Sequence, residues 1–388
     1  MSHATTHGLR IVINACSVTG AATGIGNYTR NLVSALSQTA GQQQYIALRS
    51  HRGEGSESQG GQLREHVVDT RAPLWEQLQL PNLLHDLKAQ VYHNPAFGLP
   101  VVRTVPQVCT VHDCIPRLFP EYAPPWLRHF FEHWAPVWLR GADHIICASA
   151  HTRHDVEHLY GITPSRLSVV HQAADGAYQP VRDPARLEAL MVRYGIDAPY
   201  VLYVGRIELR KNVAGLLAAF REVRKRVARP LMLVMAGPSE PGTYDPEGVL
   251  PPEGRSGDVL VTGYVPTSDL VSLYSGCAVF CLPSFYEGFG IPVLEAMQCG
   301  APVVTSRVSS LPEVGGNACL YVDPYDSVSI ADGLECVLGD DVARECMREA
   351  GLERSREFSL DRFALQTAAV YQRVANECQQ DTRTEDPV

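Results

Sequence analysis

Along the 388 residues, short apolar runs alternate with longer stretches in which apolar positions recur every three to four residues. The runs are LRIVINA, VPQVCTV, HIICAS and LSVVHQ in the first half, and YVLYVG, PLMLVMAG, DVLVTGY, AVFCLP, APVVTS and ACLYVD in the second. Rich in Val and Ile and apolar on both faces, they predict parallel strands covered on both sides. The segments between them have helical length and period. The pattern therefore predicts two doubly wound, Rossmann-like α/β domains, which would leave a cleft between them where they face one another.

The boundary is written in charge and histidine. Residues 1–178 hold 13 Lys+Arg and 13 Asp+Glu, whereas residues 179–388 hold 20 and 29, so the whole net charge of −9 lies in the second part. All 14 histidines fall between His3 and His171. The change coincides with AADGAYQPVRDP, whose Asp, Gly and Pro content is that of a linker. The expected division is thus 1–178, 179–357, and a terminal helix with its tail over 358–388. An acidic balance argues against a nucleic-acid grip through a broad basic surface. The longest apolar run, Leu231 to Gly237, is far short of the roughly 20 residues a membrane-spanning helix needs. The polar start MSHATTHGLR lacks the apolar core of a secretory signal, and the eleven cysteines lie mostly in apolar segments without CxxC spacing. Both features point to a reducing cytoplasm. The Gly/Ser-rich stretch at 49–62 reads as a mobile loop.

Ligands of doubly wound sheets bind beyond the carboxyl ends of the strands, so polar residues just after strands are the candidates. Four such loops stand out. After YVLYVG comes Arg206, then Arg210, Lys211 and Asn212, with Asn212 a suitable N-cap for a helix from Val213 to about Arg226. Three cations beside a helix N-terminus suit a diphosphate, although solvated charges on an ordinary loop fit the same spacing. After AVFCLP, residues Glu287, Gly288, Phe289, Gly290 and Ile291 lead into a helix to about Cys299 that carries Glu295. The glycines permit close approach of a ligand to the N–H groups of Phe289, Gly290 and Ile291, while the two carboxylates could instead only complement the helix dipole. After RIVINA, Gly24 and Gly26 form a glycine loop that leaves room for phosphate or sugar. Thr29 stands where a dinucleotide fingerprint needs its third glycine, which counts against an NAD enzyme. After VPQVCTV, His112 is placed to bond a sugar hydroxyl or shuttle a proton, with Asp113 orienting it, or else to serve as a structural pair.

Taken together, Gly205-Arg206 with Lys211-Asn212, the Glu287 and Glu295 pair inside SFYEGFGIPVLEAMQCGAPVV, the Gly24/Gly26 loop and TVHD resemble glycosyltransferase family four, nucleotide-sugar transferases of GT-B fold. The resemblance implies a retaining, metal-independent hexosyltransferase, and the sequence has no DxD in a suitable loop. It implies a nucleotide-sugar donor, which is a substrate and no cofactor, held by the second domain, with the acceptor presented by the first. Arg206 and Lys211 would pair with the diphosphate, Glu287 would contact hexose hydroxyls aided by the amides at Phe289, Gly290 and Ile291, and Glu295 would hold the ribose. Backbone around Val265 would meet the base, His112 would sit near the donor sugar, and Gly24 and Gly26 would clear space for phosphates. The flavour of HNPAFGLP, TVHD and FPEY resembles the mannosyl- or rhamnosyltransferases of that family, which implies mannose from GDP-mannose passed to a lipid-linked or growing glycan in cell-surface polysaccharide assembly. A sugar-nucleotide epimerase of the same fold and a non-catalytic nucleotide-sugar-binding subunit remain alternatives.

Trp126, Phe130, Trp134 and Trp138 recur at four-residue spacing, one face of a helix expected to kink at Pro136. That face suits either peripheral contact with the inner face of the cytoplasmic membrane, where a lipid-linked acceptor would be met, or the first domain's core.

Overall fold

A computed structural model describes residues 8–19, 24–39, 41–50, 63–72, 74–238 and 252–384. Of the stretch 49–62, expected to be a loop, Arg49 and Ser50 instead end a β-strand, and 51–62 lie outside the described residues, as do 20–23. The chain divides into two units, Met1–Ala173 with Leu360–Val388, and Ala174–Ser359. The passage into the second unit thus comes five residues before the position that charge and histidine mark.

The first unit is built on a fully parallel sheet of seven strands: β1 (Arg10–Asn14), β2 (Gln44–Ser50), β3 (Leu63–Val68), β4 (Val91–Asn94), β5 (Gln107–Val111), β6 (His144–Cys147) and β7 (Leu167–Val169). Their order is β3-β2-β1-β4-β5-β6-β7, so the winding reverses between β1 and β4. The alternating faces of the strands feed two cores. Ile11, Ile13 and Val108 meet the helices Gly24–Gln38 and Leu360–Thr384, whose inward residues include Leu32, Phe363 and Tyr371. Val12, Tyr92, Cys109 and Ile145 meet Leu80, Leu84, Leu139 and Val156 on the other side.

The second unit carries β8 (Tyr200–Val204), β9 (Met232–Ala236), β10 (Gly254–Ser256), β11 (Val259–Gly263), β12 (Val279–Leu282), β13 (Val303–Ser306) and β14 (Cys319–Val322). The order is β10-β11-β9-β8-β12-β13-β14, parallel except for the edge strand β10. Here the winding reverses between β8 and β12. All five positions of β8 and all four of β12 are buried, as expected of central strands covered on both faces.

The aromatic segment departs from a single helix. Pro125–His129 and Ala135–Gly141 are α-helical, and Phe130–Trp134 between them forms a π-helical turn. The wider turn breaks the four-residue register, so the aromatics do not share a face. Trp126 and Trp134 are 70% and 54% exposed. Phe130, in contrast, lies 5.0 Å from Trp138 and Phe131 lies 4.8 Å from Phe97, ring centre to ring centre. Pro136 follows the π-helical turn closely and has no N–H to give to it, so the irregularity of the helix lies just before the proline. Among the described residues, no helix is long and apolar enough to cross a membrane.

Candidate functional site

The loops that follow β8 and β12 meet at the reversal point of the second sheet. Gly205 follows β8 directly with φ +144°, and a Cβ there would come within 3.1 Å of Lys211 Nζ and 3.2 Å of its Cδ and Cε. Its missing side chain is the channel through which the lysine reaches back over the strand end. Asn212 then closes the loop in the left-handed region (φ 55°), where its side chain accepts from Gly215 N at 3.2 Å and donates to Pro324 O at 2.6 Å. The helix Val213–Arg226 starts from this cap.

Glu287, only 8% exposed, receives that lysine. Lys211 Nζ donates to Glu287 Oε1 at 3.0 Å, and Ser284 Oγ donates to the same oxygen at 2.8 Å. Arg210 Nη1 stands 3.5 Å from Oε2 and donates to Tyr286 O at 2.6 Å. The backbone is held as firmly: Glu287 N–H donates to Ser309 Oγ at 2.9 Å, and Ser310 Oγ donates to Glu287 O at 2.8 Å. Burial pushes the carboxyl's pKa up, but the charges of Lys211 and then Arg210, with the Ser284 and Lys211 hydrogen bonds, outweigh it and hold the group at about 2. Glu287 is therefore a fixed carboxylate at neutral pH.

Glu295 is a different kind of acid. Burial raises it to about 7, with Asp175 adding to the rise, against the hydrogen bonds from Tyr274 and Tyr178 and the charge of Lys211. Tyr274 OH donates to its Oε2 at 2.9 Å. It sits one turn into the helix Ile291–Gln298, whose N-cap Gly290 has φ +92°. A Cβ at Gly290 would lie 2.7 Å from Leu311 Cδ2, so the approach to this helix end depends on glycine. Pro292 has no N–H, leaving Gly290 and Ile291 as the nearby amides for an anion at that end.

Arg206 lies on the surface of the β8 loop with its guanidinium 3.4 Å from Glu208. Arg206, Arg210 and Lys211 thus gather beside Glu208 and Glu287 at the start of the helix Val213–Arg226, an arrangement of cations that suits a diphosphate. Val265 is buried, so what the segment after β11 offers outward is its backbone and the 65% exposed ring of Tyr264. Phe289 is also buried, 5.8 Å from the ring of Phe358, so its side chain packs and only its backbone faces the question of ligand binding.

In the first unit, the helix Gly24–Gln38 already includes both Gly24 and Gly26, which corrects their expected place in a loop. A run that continues into amphipathic TRNLVSAL carries the helix back over them. Among the described residues, a Cβ at Gly24 would meet nothing within 4 Å. His112 follows β5. Its Nε2 lies 2.8 Å from Pro95 O, and because a carbonyl only accepts, Nε2 carries the proton and Nδ1 keeps the lone pair. Burial lowers its pKa, which keeps the ring neutral. The imidazole is held by Pro95 O and by the ring of Tyr28, packed edge-on at 4.6 Å; the charge of Asp113 favours its protonated form against burial, and Asp113 also accepts from Ile115 N at 3.0 Å.

Arg210, one of the three cations singled out in the basic loop, stands beside Glu287, and Ser284, Ser309, Ser310, Tyr178 and Tyr274, which the sequence does not single out, complete the acidic pair's surroundings. The serines of the β13 loop and the two tyrosines reach the site from distant segments and carry no spacing signal.

Residues 191–354 match the family model for glycosyl transferases group 1, and residues 22–177 match glycosyltransferase family 4. The chain is 36% identical over 300 residues to the O-antigen chain mannosyltransferase B of Escherichia coli, covering 74% of this chain and 75% of the relative. Among solved structures, sucrose-phosphate synthase from Thermosynechococcus elongatus shares the fold with a TM-score of 0.70 at 19% identity, covering 94% of this chain and 99% of that one. Anabaena HepE in complex with UDP-glucose gives 0.66 at 15% identity over 94% and 99%.

Proposed function

Since the chain belongs to glycosyltransferase family four and has its GT-B fold, we propose that it moves mannose from GDP-mannose, with retention of configuration, onto a hydroxyl of a lipid-linked or growing glycan in cell-surface polysaccharide assembly. The observation that carries this reading is the buried Lys211–Glu287 pair at the reversal point of the second sheet, with Arg210 and Arg206 on the same loop. The O-antigen mannosyltransferase relative supports the sugar and the pathway class.

In this proposal the second unit holds the donor. Arg206 and Lys211 face the diphosphate and stabilise the charge that grows on it as the C1–O bond loosens. Glu287, a carboxylate of fixed position, accepts hydrogen bonds from hexose hydroxyls, and the amides of Gly290 and Ile291 add donors. Glu295 accepts from the ribose hydroxyls, and the backbone at Val265 meets the base. His112 accepts a hydroxyl bond at Nδ1. The acceptor oxygen attacks C1 from the face the leaving group departs from. The bonding pair leaves with the nucleoside diphosphate, and the acceptor's proton passes to a leaving phosphate oxygen. Trapping a kinetically competent covalent glycosyl-enzyme overturns this step. The cations do what a divalent ion does elsewhere, so activity in excess EDTA is expected to equal that without it.

The experiment that tests donor choice is a thermal-shift panel over GDP-, UDP-, ADP- and dTDP-sugars, in which only GDP-mannose at 100 times its Kd should add about 2.7 kcal/mol of apparent stability. Nucleoside diphosphate release that depends on added acceptor separates transfer from epimerisation, and loss of polymer in a folded Glu287→Gln strain eliminates a non-catalytic subunit. The exposed Trp126 and Trp134, flanked by Arg128 and Arg140, support peripheral contact with the inner face of the cytoplasmic membrane. Cosedimentation with anionic vesicles that survives Trp126→Ser/Trp134→Ser refutes that contact.

A further inference from the structure

Behind His112 lies a buried polar chain that the proposed transfer does not use. His93 on β4 is fully buried, yet both its ring nitrogens are spent on hydroxyls: Nδ1 lies 2.6 Å from Tyr371 OH and Nε2 lies 2.9 Å from Thr110 Oγ1. Thr110 Oγ1 is in turn 3.3 Å from Tyr28 OH, and the ring of Tyr28 meets His112 edge-on. Thr110, Tyr28 and Tyr371 are all at most 2% exposed. His93 stands between Ile13 and Val108 on the neighbouring strands, where an apolar side chain would be buried at less desolvation cost, so a histidine there needs a reason.

The strand geometry supplies one. β4 and β5 are paired neighbours, with Asn94 opposite Cys109. His93 precedes Pro95 by two residues and Thr110 precedes His112 by two. The His93–Thr110 bond therefore ties the two strand ends together one step beneath the Pro95–His112 bond that sets the histidine's tautomer. The terminal helix Leu360–Thr384 locks this tie from behind, with Tyr371 on His93 and the ring of Phe363 5.1 Å from that of Tyr28. Burial, with the nearby His112, keeps His93 neutral by pushing its pKa to about 3. A neutral imidazole has one donor and one acceptor, so one hydroxyl must donate to it and the other accept, and the chain has a definite direction.

We propose that His93 and Tyr371 are positioning residues for His112, through which the terminal helix fixes the orientation and tautomer of that ring. The proposal rests on the role given to His112 in transfer, and its test separates the two. Tyr371→Phe removes one hydroxyl and little volume; kcat should fall about tenfold, the value of one ordinary hydrogen bond, while the donor KM stays within about twofold. His93→Leu should lose more. His93→Gln, which can donate to one hydroxyl and accept from the other, should recover to within about threefold of the parent. The ring 15N shifts of His112, assigned by subtraction with His112→Ala, should report one Nε2-protonated form in the parent and a mixture in Tyr371→Phe. Wild-type kcat and unchanged His112 shifts in Tyr371→Phe overturn the proposal, and neither readout needs His93→Leu to fold. A His112→Ala enzyme with undiminished kcat would instead refute the role of His112 in transfer, while the ring shifts still decide the coupling.

Discussion

Replacing Glu287 by Gln keeps the size of the side chain and an oxygen for Lys211 and Ser284, and removes only the charge. Each tenfold change in an acid constant is worth about 1.4 kcal/mol, so drawing this carboxyl from its ordinary 4.5 to about 2 amounts to about 3 kcal/mol in favour of the ionised form. That agrees with the roughly 3–5 kcal/mol lost when one partner of a buried pair is removed. Because the folded pKa lies below the unfolded one, the contribution is present above about pH 4.5 and fades as pH falls through about 2. At pH 7 the variant should therefore be about 3 kcal/mol less stable, and the gap should narrow below pH 4. All four tryptophans lie in the first unit, so their fluorescence is the wrong probe. Hydrogen exchange in peptides from 200–320, followed against urea, reads the second unit directly. Adding Lys211→Met should return part of the loss, with a coupling of at least about 1 kcal/mol. A variant within about 0.5 kcal/mol of the parent at pH 7, with the same acid profile, refutes the reasoning.

Further outcomes follow from the neighbouring groups. Glu295, held at about 7, favours its protonated form in the fold, a contribution complete below about pH 4.5 and lost as pH rises through 7. Its carboxylate is the form that accepts ribose hydroxyls, so GDP should bind more tightly as pH rises from 6 to 8 and release a proton at pH 7. Calorimetry in two buffers of different ionisation enthalpy reads both, and an unaltered pH profile in Glu295→Gln contradicts the assignment. Arg206→Ala removes an exposed cation, so stability should change by less than about 0.5 kcal/mol. Its kcat should nevertheless fall about a hundredfold if the guanidinium acts on the departing phosphate, and a kcat within threefold of the parent removes it from the mechanism.

Much of the frame is legible in the sequence because buried parallel strands are continuous apolar runs. β8, β9, β12 and β13 are visible for that reason, as are the N-cap Asn212 and the helix from Ile291. β3 escapes notice because LREHVV is a sheet edge with Arg64 and Val67 exposed, and β4 because VYHN spends half its length on polar residues that the fold buries for their hydrogen bonds. The site was legible to the extent that a loop announces itself. Lys211 and Glu287 sit in Gly-flanked loops after strands, but their direct contact depends on Gly205 lacking a side chain and on Ser309 and Ser310 arriving from β13, which no local pattern encodes. The aromatic register misleads because a single π-helical turn, invisible in residue spacing, sends Trp126 and Trp134 outward and Phe131 inward. His93 is hidden for the opposite reason: its bonds to Tyr371 and Thr110 span 278 and 17 residues.

The most direct measurement incubates the purified chain with GDP-mannose and a mannose-terminated glycan acceptor, in parallel with Lys211→Ala, and determines the product's anomeric configuration by NMR. The account predicts a new glycosidic bond with the donor's configuration retained, formed by the parent and lost with Lys211. An inverted product, or equal transfer by the Lys211 variant, contradicts it.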